Sequence, residues 1–316
     1  MNLFSFYSNI DSSLLKIINA ICIASIEIEN CIRYSSLQGL HGEHGEKNSS
    51  GDVQKKLDVV SNDIMIHYLT QTNCCNILLS EENDTPIILP KKNSGQMYLV
   101  AFDPLDGSSN IDCNAPIGTI FSICENKTEK LLLPGSEISI AGYILYGPST
   151  ELVVSVNNTV DRFVLSPKKE YIHLGKVHLD GKNKKIYSIN EANSNIWNND
   201  IKTYINGYKV DGTKYTARYI GSMVGDVHRT LLYGGMFCYP ADKKNIRGKL
   251  RLLYEAYPMA KLFENAGGGA VVGDMSMQRI LDVEPKEIHQ KTPILLGTQE
   301  EIDKYDKVWH KKTSKL

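Results

Sequence analysis

Leu99-Val100-Ala101-Phe102-Asp103-Pro104-Leu105-Asp106-Gly107-Ser108-Ser109-Asn110 begins as an apolar run and passes without a break into acids and a turn. Its first four residues have the continuous apolar pattern of a strand covered on both faces. Pro104 fixes φ, Leu105 can turn its carbonyl toward a cation, and Gly107 allows the Asp106 to Ser109 amides to face an anion. One strand upstream, Asn76-Ile77-Leu78-Leu79-Ser80 ends the same way, in Glu81-Glu82. In layered α/β proteins ligands gather at the carboxyl ends of strands, so two such ends on neighbouring strands would bring Glu81, Glu82, Asp103 and Asp106 to one cavity. Uncompensated, these acids repel. Divalent cations relieve that repulsion, and oxygen-only donors select hard Mg2+ or Mn2+ over zinc. An isolated Asp-Pro-x-Asp is equally an ordinary surface turn, and an isolated Glu-Glu a solvated loop. The pair of strand ends together points to a metal.

Working outward, Asp11-Ser12-Ser13 supplies cap oxygens before a helical period from Leu14 to about Arg33. The glycine-rich segment from Leu40 to Gly51 has no apolar period and reads as a mobile loop, including His41-Gly42-Glu43-His44, which is loop rather than metal clip. A second helix follows through Val53, Leu57, Val60, Ile64 and Tyr68, with Ser50 or Asp52 as its cap. Short apolar runs at 97–102, 117–124, 139–146, 151–156 and 162–165 suggest antiparallel sheet. The polar stretch 168–185 marks a domain boundary, giving an N-terminal domain 1–185 and a C-terminal domain 186–316. The second half alternates, with strands at 186–189, 218–220 and 236–239 and helices near 195–205, 224–232 and 250–265. The fold class is therefore layered α/β.

The 316 residues carry 35 Lys+Arg against 36 Asp+Glu, a formal charge of −1 that gives no whole-molecule reason to expect nucleic acid or a membrane surface. The apolar stretch Leu14 to Ile28 is broken by Lys16, Asn19 and Glu27, so no spanning helix is expected. Seven cysteines without CxxC spacing read as free thiols, Cys74-Cys75 as a thiol pair and Cys113 as a small core residue. No secretory leader or transit peptide is evident. The chain stops at Ser314-Lys315-Leu316, a tripeptide that a peroxisomal import receptor reads when it is the free C-terminus, so peroxisomal placement is expected if that address is used, and cytoplasmic placement otherwise.

These residues closely resemble the fructose-1,6-bisphosphatases of the lithium-sensitive, magnesium-dependent sugar phosphatase fold, from about Asn48 to about Gly297. The resemblance is carried by Gly51-Asp52, Lys55-Lys56-Leu57-Asp58, Ser80-Glu81-Glu82, the Asp103 to Asp112 run, Tyr187-Ser188-Ile189-Asn190-Glu191, Ala217 to Met223, Asp226 to Thr230 and Gly248 to Glu255. It implies a five-layer αβαβα sandwich and Mg2+-dependent (or Mn2+-dependent) release of the 1-phosphate of fructose 1,6-bisphosphate, in gluconeogenesis. Glu81, Asp103, Asp106, Glu255 and the Leu105 carbonyl would bind the catalytic metals, two to three per subunit, with Asp52 and Glu82 serving a further metal and the attacking water. Asp58 with Glu82 would handle the proton. Gly107, Ser108 and Ser109 would contact substrate beside Asp106. Asn190, Arg218, Tyr219, Tyr239 and Lys249 would hold the 6-phosphate, while Met223 and Arg251 line or complete the site. The resemblance also implies a homotetramer in which Arg218 reaches in from a neighbouring subunit. The family's closing loop over the metals falls in the 40–51 region. His228 and His289 are read as packed or hydrogen-bonded, and Gly267-Gly268-Gly269 as a helix end.

Two other functions fit the same residues: a sedoheptulose-1,7-bisphosphatase, against which Asn110-Ile111-Asp112 speaks, and a phosphosugar-binding protein with silent chemistry, against which the intact carboxylate set speaks. The family's AMP-inhibition site uses an N-terminal helix and basic residues on the nucleotide phosphate. Only ten residues precede Asp11 here, Met97 stands before Tyr98 where a Lys is expected, and Ser136 follows Pro134-Gly135 where an Arg is expected. Losing two cations removes the charge-assisted contacts that hold a phosphate. The thioredoxin-responsive cysteine insertion of chloroplast forms is also not evident. AMP is therefore expected to inhibit weakly or not at all, and an AMP titration giving strong micromolar inhibition would refute this.

Overall fold

The apolar runs between residues 75 and 176 pair into one eight-stranded sheet, in the order Tyr171–Lys176, Thr159–Leu165, Thr150–Val156, Ile138–Tyr146, Ile117–Glu125, Tyr98–Asp106, Cys75–Ser80 and Ile87–Ile88. All neighbours are antiparallel except Cys75–Ser80 and Tyr98–Asp106, which run parallel. The computed structural model describes every residue except 41, 48–52, 91–95, 128–129, 180–183, 211–213 and 314–316. Asp52 and the Ser314-Lys315-Leu316 tripeptide thus lie outside the described residues. A second sheet of five strands is ordered Thr216–Ala217, Ile186–Ser188, Met236–Tyr239, Ile294–Thr298 and Gly268–Val272.

Sheets with two apolar faces must be covered twice. The Ser12–Arg33 and Lys56–Gln71 helices pack together over one face of the large sheet, burying Ile17, Ile21, Leu57 and Met65 against Phe102 and Phe121. Helices Met223–Tyr233 and Tyr257–Asn265 fill the space between the two sheets and touch both. The outer face of the smaller sheet is closed by Asn199–Val210 and Gln299–Thr313, through Ile201, Tyr204, Ile302 and Tyr305. The result is α/β/α/β/α, the expected five layers. Residue 185 separates the sheets, yet the middle helical layer belongs to the second half and shares one core with the first. No described helix is long and apolar enough to cross a membrane.

Local chemistry explains where the chain departs from its apparent pattern. Asp11 caps the first long helix, accepting from Ser13 N (2.9 Å) and Leu14 N (3.1 Å). The second helix starts later than its periodicity suggests, at Lys56, because Asp58 accepts from Lys55 N (2.8 Å) and closes the first turn there; Val53 belongs to a strand. That strand, Val53–Lys55, pairs with Glu43–Lys47, so part of the segment read as loop is an antiparallel hairpin. The expected strand at 218–220 is instead Thr216–Ala217; Arg218 N still donates to Tyr187 O of the neighbouring strand, but the Ile220 and Gly221 amides turn to the Asp226 side chain. The long helix at 250–265 is split into a strand pair at Leu250–Arg251, a π-turn at Leu252–Ala256 and an α-helix from Tyr257, Pro258 suiting its start. Gly267, at φ +88°, ends that helix, but Gly268 and Gly269 go on into a strand. Cys113 is exposed on the Ser108–Cys113 3-10 turn rather than in the core, because that turn stands off the sheet at its open end.

Phe263 is fully buried in the layer shared by both sheets. Phe263→Ala is expected to destabilise the protein by about 3–5 kcal/mol, the range for truncating a buried aromatic, read as a lower urea midpoint with an unchanged slope.

Candidate active site

Parallel register decides the site. Leu79 pairs with Ala101 and Ser80 with Phe102, and Glu81 N donates to Phe102 O (3.1 Å), so both strands end at the same height. Glu81 and Asp103 therefore emerge side by side. Asp103 Oδ1 accepts from Leu105 N (2.9 Å), and pairing with Ile117–Glu125 shifts register between Asp103 and Asp106, so both acids stay buried. Asp106 Oδ2 accepts from Val224 N (2.8 Å) at the start of the Met223–Tyr233 helix. Glu255 comes from the π-turn and accepts from Arg251 N. One oxygen from each of Asp103, Asp106 and Glu255 lies within 4.8 Å of the others.

Asp58 adds a buried carboxylate from the first turn of its helix. Lys55 N occupies its Oδ2, while Oδ1 has no hydrogen-bond partner among the described residues. Glu82 accepts from Gln54 Nε2 (2.5 Å). The buried Arg251 places Nε 3.6 Å from Glu81, and Lys55 Nζ turns to Asp112 (2.9 Å). Negative charge exceeds positive charge here, and burial makes the excess costly. Burial first, then Glu81 and Asp106, holds the carboxyls of Asp103 and Glu255 well above the usual carboxylate range. Burial also raises Glu81 despite Arg251, pushes Asp106 up to about 6, and, with Glu82 adding to it, pushes Asp58 up to about 7. An all-oxygen donor set with surplus buried charge and an unpartnered Asp58 oxygen fits hard divalent cations.

Donors of the opposite character line the same cavity as these acids, a space of about 590 Å³. Its walls bring together Asp58, Glu81, Glu82, Asp103, Leu105, Asp106, Gly107, Ser108, Ser109, Asn190, Tyr219, Met223, Tyr239, Lys249, Arg251 and Glu255. Gly107 sits at φ +79°, and a Cβ there would meet Ser222 Oγ at 3.0 Å, so the turn needs glycine. Arg218 does not line its own chain's cavity; it is exposed, with Nη1 donating to Ala217 O (3.1 Å). Gln54, Lys55, Ser222, Asp226, Phe237 and Leu250 also line the cavity and were not picked out from the sequence as site residues. Ser222 is legible as a cap three residues before Gly225, whereas nothing local distinguishes Asp226 from any helix-start acid. His228 bonds Tyr143 Oη (2.8 Å) and burial pushes it down to about 4; His289 bonds Tyr254 and Asn83 O (3.1 Å). Neither lines the cavity.

Comparison with known proteins gives a consistent result. Residues 4–176 match the family model described as fructose-1,6-bisphosphatase, N-terminal domain, and residues 181–310 match its C-terminal domain. The chain is 42% identical over 312 residues to mouse "Fructose-1,6-bisphosphatase 1", covering 96% of this chain and 91% of that one. It is 46% identical over 303 residues to "Fructose-1,6-bisphosphatase class 1" of Sulfurihydrogenibium sp., covering 94% and 92%. The crystal structure of Leishmania major fructose-1,6-bisphosphatase in holo form superposes with a TM-score of 0.91 at 39% identity, covering 98% of each chain.

Carboxyls whose folded-state pKa is raised contribute stability that is fully present below their unfolded pKa and lost as pH climbs through about 6 to 7. A bound cation replaces the missing protons. Mg2+ added to metal-free protein is therefore expected to raise Tm more at pH 8 than at pH 5.5; equal shifts, or none, would count against a cation at this cluster.

Proposed function

The chain belongs to the fructose-1,6-bisphosphatase family, and on that premise we propose that it hydrolyses the 1-phosphate of fructose 1,6-bisphosphate to fructose 6-phosphate and phosphate. The observation that carries this reading is the mixed lining of the cavity, where the carboxylate cluster shares one space with Asn190, Tyr219, Tyr239 and Lys249. A sugar with a phosphate at each end matches both. Asp103, Asp106, Glu81, Glu255 and the Leu105 carbonyl would hold Mg2+ or Mn2+, with Asp52 and Glu82 for a further ion, two to three in all. Such ions, when bound, neutralise the transferring phosphate and acidify water.

Within this reading the chain's own groups have distinct work. Gly107, Ser108 and Ser109 hold the 1-phosphate beside Asp106. Lys55 N fixes Asp58 Oδ2, leaving Oδ1 to accept the proton of the attacking water, and a carboxyl lifted to about 7 suits that transfer at neutral pH. Gln54 orients Glu82 toward the same proton. At the far end Lys249 acts as a point charge and Asn190, Tyr219 and Tyr239 as directional donors. Arg218, exposed and turned from its own cavity, would serve a neighbouring subunit's 6-phosphate in a homotetramer. Weak AMP inhibition fits one further contact and one burial: Tyr98 Oη already donates to Asp11 Oδ1 (3.1 Å), an anion that repels a nucleotide phosphate, and the Met97 side chain is buried.

Phosphate release assayed across sugar bisphosphates, with Mg2+ and with chelator, is expected to favour fructose 1,6-bisphosphate and to stop in chelator. Glu82→Gln should lower kcat/KM by roughly 10²–10⁴, the range for a group handling the proton. A larger kcat/KM for sedoheptulose 1,7-bisphosphate would reassign the substrate. An unchanged rate in Glu82→Gln would remove its catalytic role, and no release from any bisphosphate would leave a phosphosugar-binding protein.

A further inference from the structure

We infer that Asp226 is a positioning residue that sets the Tyr219 segment of the cavity wall in register with the carboxylate cluster. The inference rests on the function proposed above. Asp226 is fully buried in the first turn of the Met223–Tyr233 helix, and its carboxylate gathers donors from three separate elements. Ile220 N (3.0 Å to both oxygens) and Gly221 N (2.9 Å) come from the exposed segment before the helix. Ser188 Oγ (2.8 Å) comes from the end of the Ile186–Ser188 strand, and Arg229 Nη2 (2.8 Å) from the next helical turn.

The segment so held carries Tyr219, and its other ties are few. Arg218 N donates to Tyr187 O (3.0 Å), and Gly221 O accepts from Asn110 Nδ2 (3.2 Å), a residue on the turn after Asp106. Gly221 has a left-handed φ of +85°, a bend whose amide has its partner in Asp226 rather than in a strand. Two residues before Asp226 on the same helix, Val224 N holds Asp106. One rigid helix start therefore fixes both a carboxylate of the acidic cluster and the loop that presents Tyr219. Converging donors also explain why the residue is an acid. An amide offers one acceptor oxygen, and its NH2 would face either Ile220 N and Gly221 N or the hydroxyl and guanidinium, leaving buried donors opposed.

Replacing Asp226 with Asn should loosen the Tyr219 loop while leaving the Val224 N contact to Asp106 in place. For Asp226→Asn, KM for fructose 1,6-bisphosphate is expected to rise about tenfold with kcat within about threefold, the signature of lost binding rather than lost chemistry. Calorimetric binding of fructose 6-phosphate should weaken by a similar factor, and the Mg2+-induced rise in Tm should match that of the parent protein. Ser188→Ala, which removes one of the donors, should give a smaller change of the same kind, roughly two- to threefold, and reads the same contrast where Asp226→Asn does not fold. A fall in kcat with KM unchanged, or a diminished Mg2+ shift, would overturn the positioning role in favour of a general structural one. If the parent protein binds fructose 6-phosphate but releases no phosphate, the proposed hydrolysis fails, and the ratio of fructose 6-phosphate affinities still decides the role of Asp226.

Discussion

Everything in this structure turns on the cost of burying like charges where two parallel strands end together. The Ser80–Phe102 register delivers Glu81 and Asp103 to one point, and the bulge before Asp106 adds a third acid, with Asp103 and Asp106 buried and Glu81 half-buried. Such an arrangement is unfavourable unless something positive enters it. Arg251 supplies part of that charge from inside the protein, 3.6 Å from Glu81, and the remaining surplus gives the cavity its affinity for hard cations.

The surrounding elements can be understood as supports for that point. The π-turn at Leu252–Ala256 rotates Glu255 into the cluster while its neighbours Leu252, Leu253 and Tyr254 stay in the core between the sheets. π-turns cost hydrogen-bond geometry and recur at functional sites for this reason. The Lys56–Gln71 helix spends its first-turn acid, Asp58, on its own cap and on the cavity at once. The Met223–Tyr233 helix lies in the middle layer, packs on both sheets, and points an N-terminal amide at Asp106, so the layer that joins the sheets also holds a carboxylate of the site.

Much of this was legible in the residues. The acids after two apolar strands, the turn glycine, and the separate Asn190, Tyr219, Tyr239 and Lys249 all line one cavity, and the layered class followed from the change of apolar period along the chain. The misreadings share a cause. Val53 fits a helical period as well as a strand, and only the Asp58 cap on Lys55 N decides between them. The residues 250–265 read as one helix because a π-turn keeps the apolar spacing while breaking the hydrogen-bond step. Cys113 reads as core from its size and chemistry, but exposure belongs to the turn that carries it. Gln54 gives no signal, and Asp226 stands in a family motif without a role of its own, because an amide in a strand and an acid at a helix start are commonplace.

The sequence by itself determined which chemistry was available: hard oxygen ligands at strand ends, a turn that only glycine can make, and cationic and phenolic donors further along. It also determined the layers, since apolar periods of two kinds must cover one another to leave water. Only the tertiary structure decided that two strands would run parallel in one register, that Arg251 would face the acids, and that Asp226 would tie the Tyr219 loop to the helix holding Asp106. Those choices depend on distances between residues far apart in the chain, and electrostatic cost in a buried site is a function of such distances.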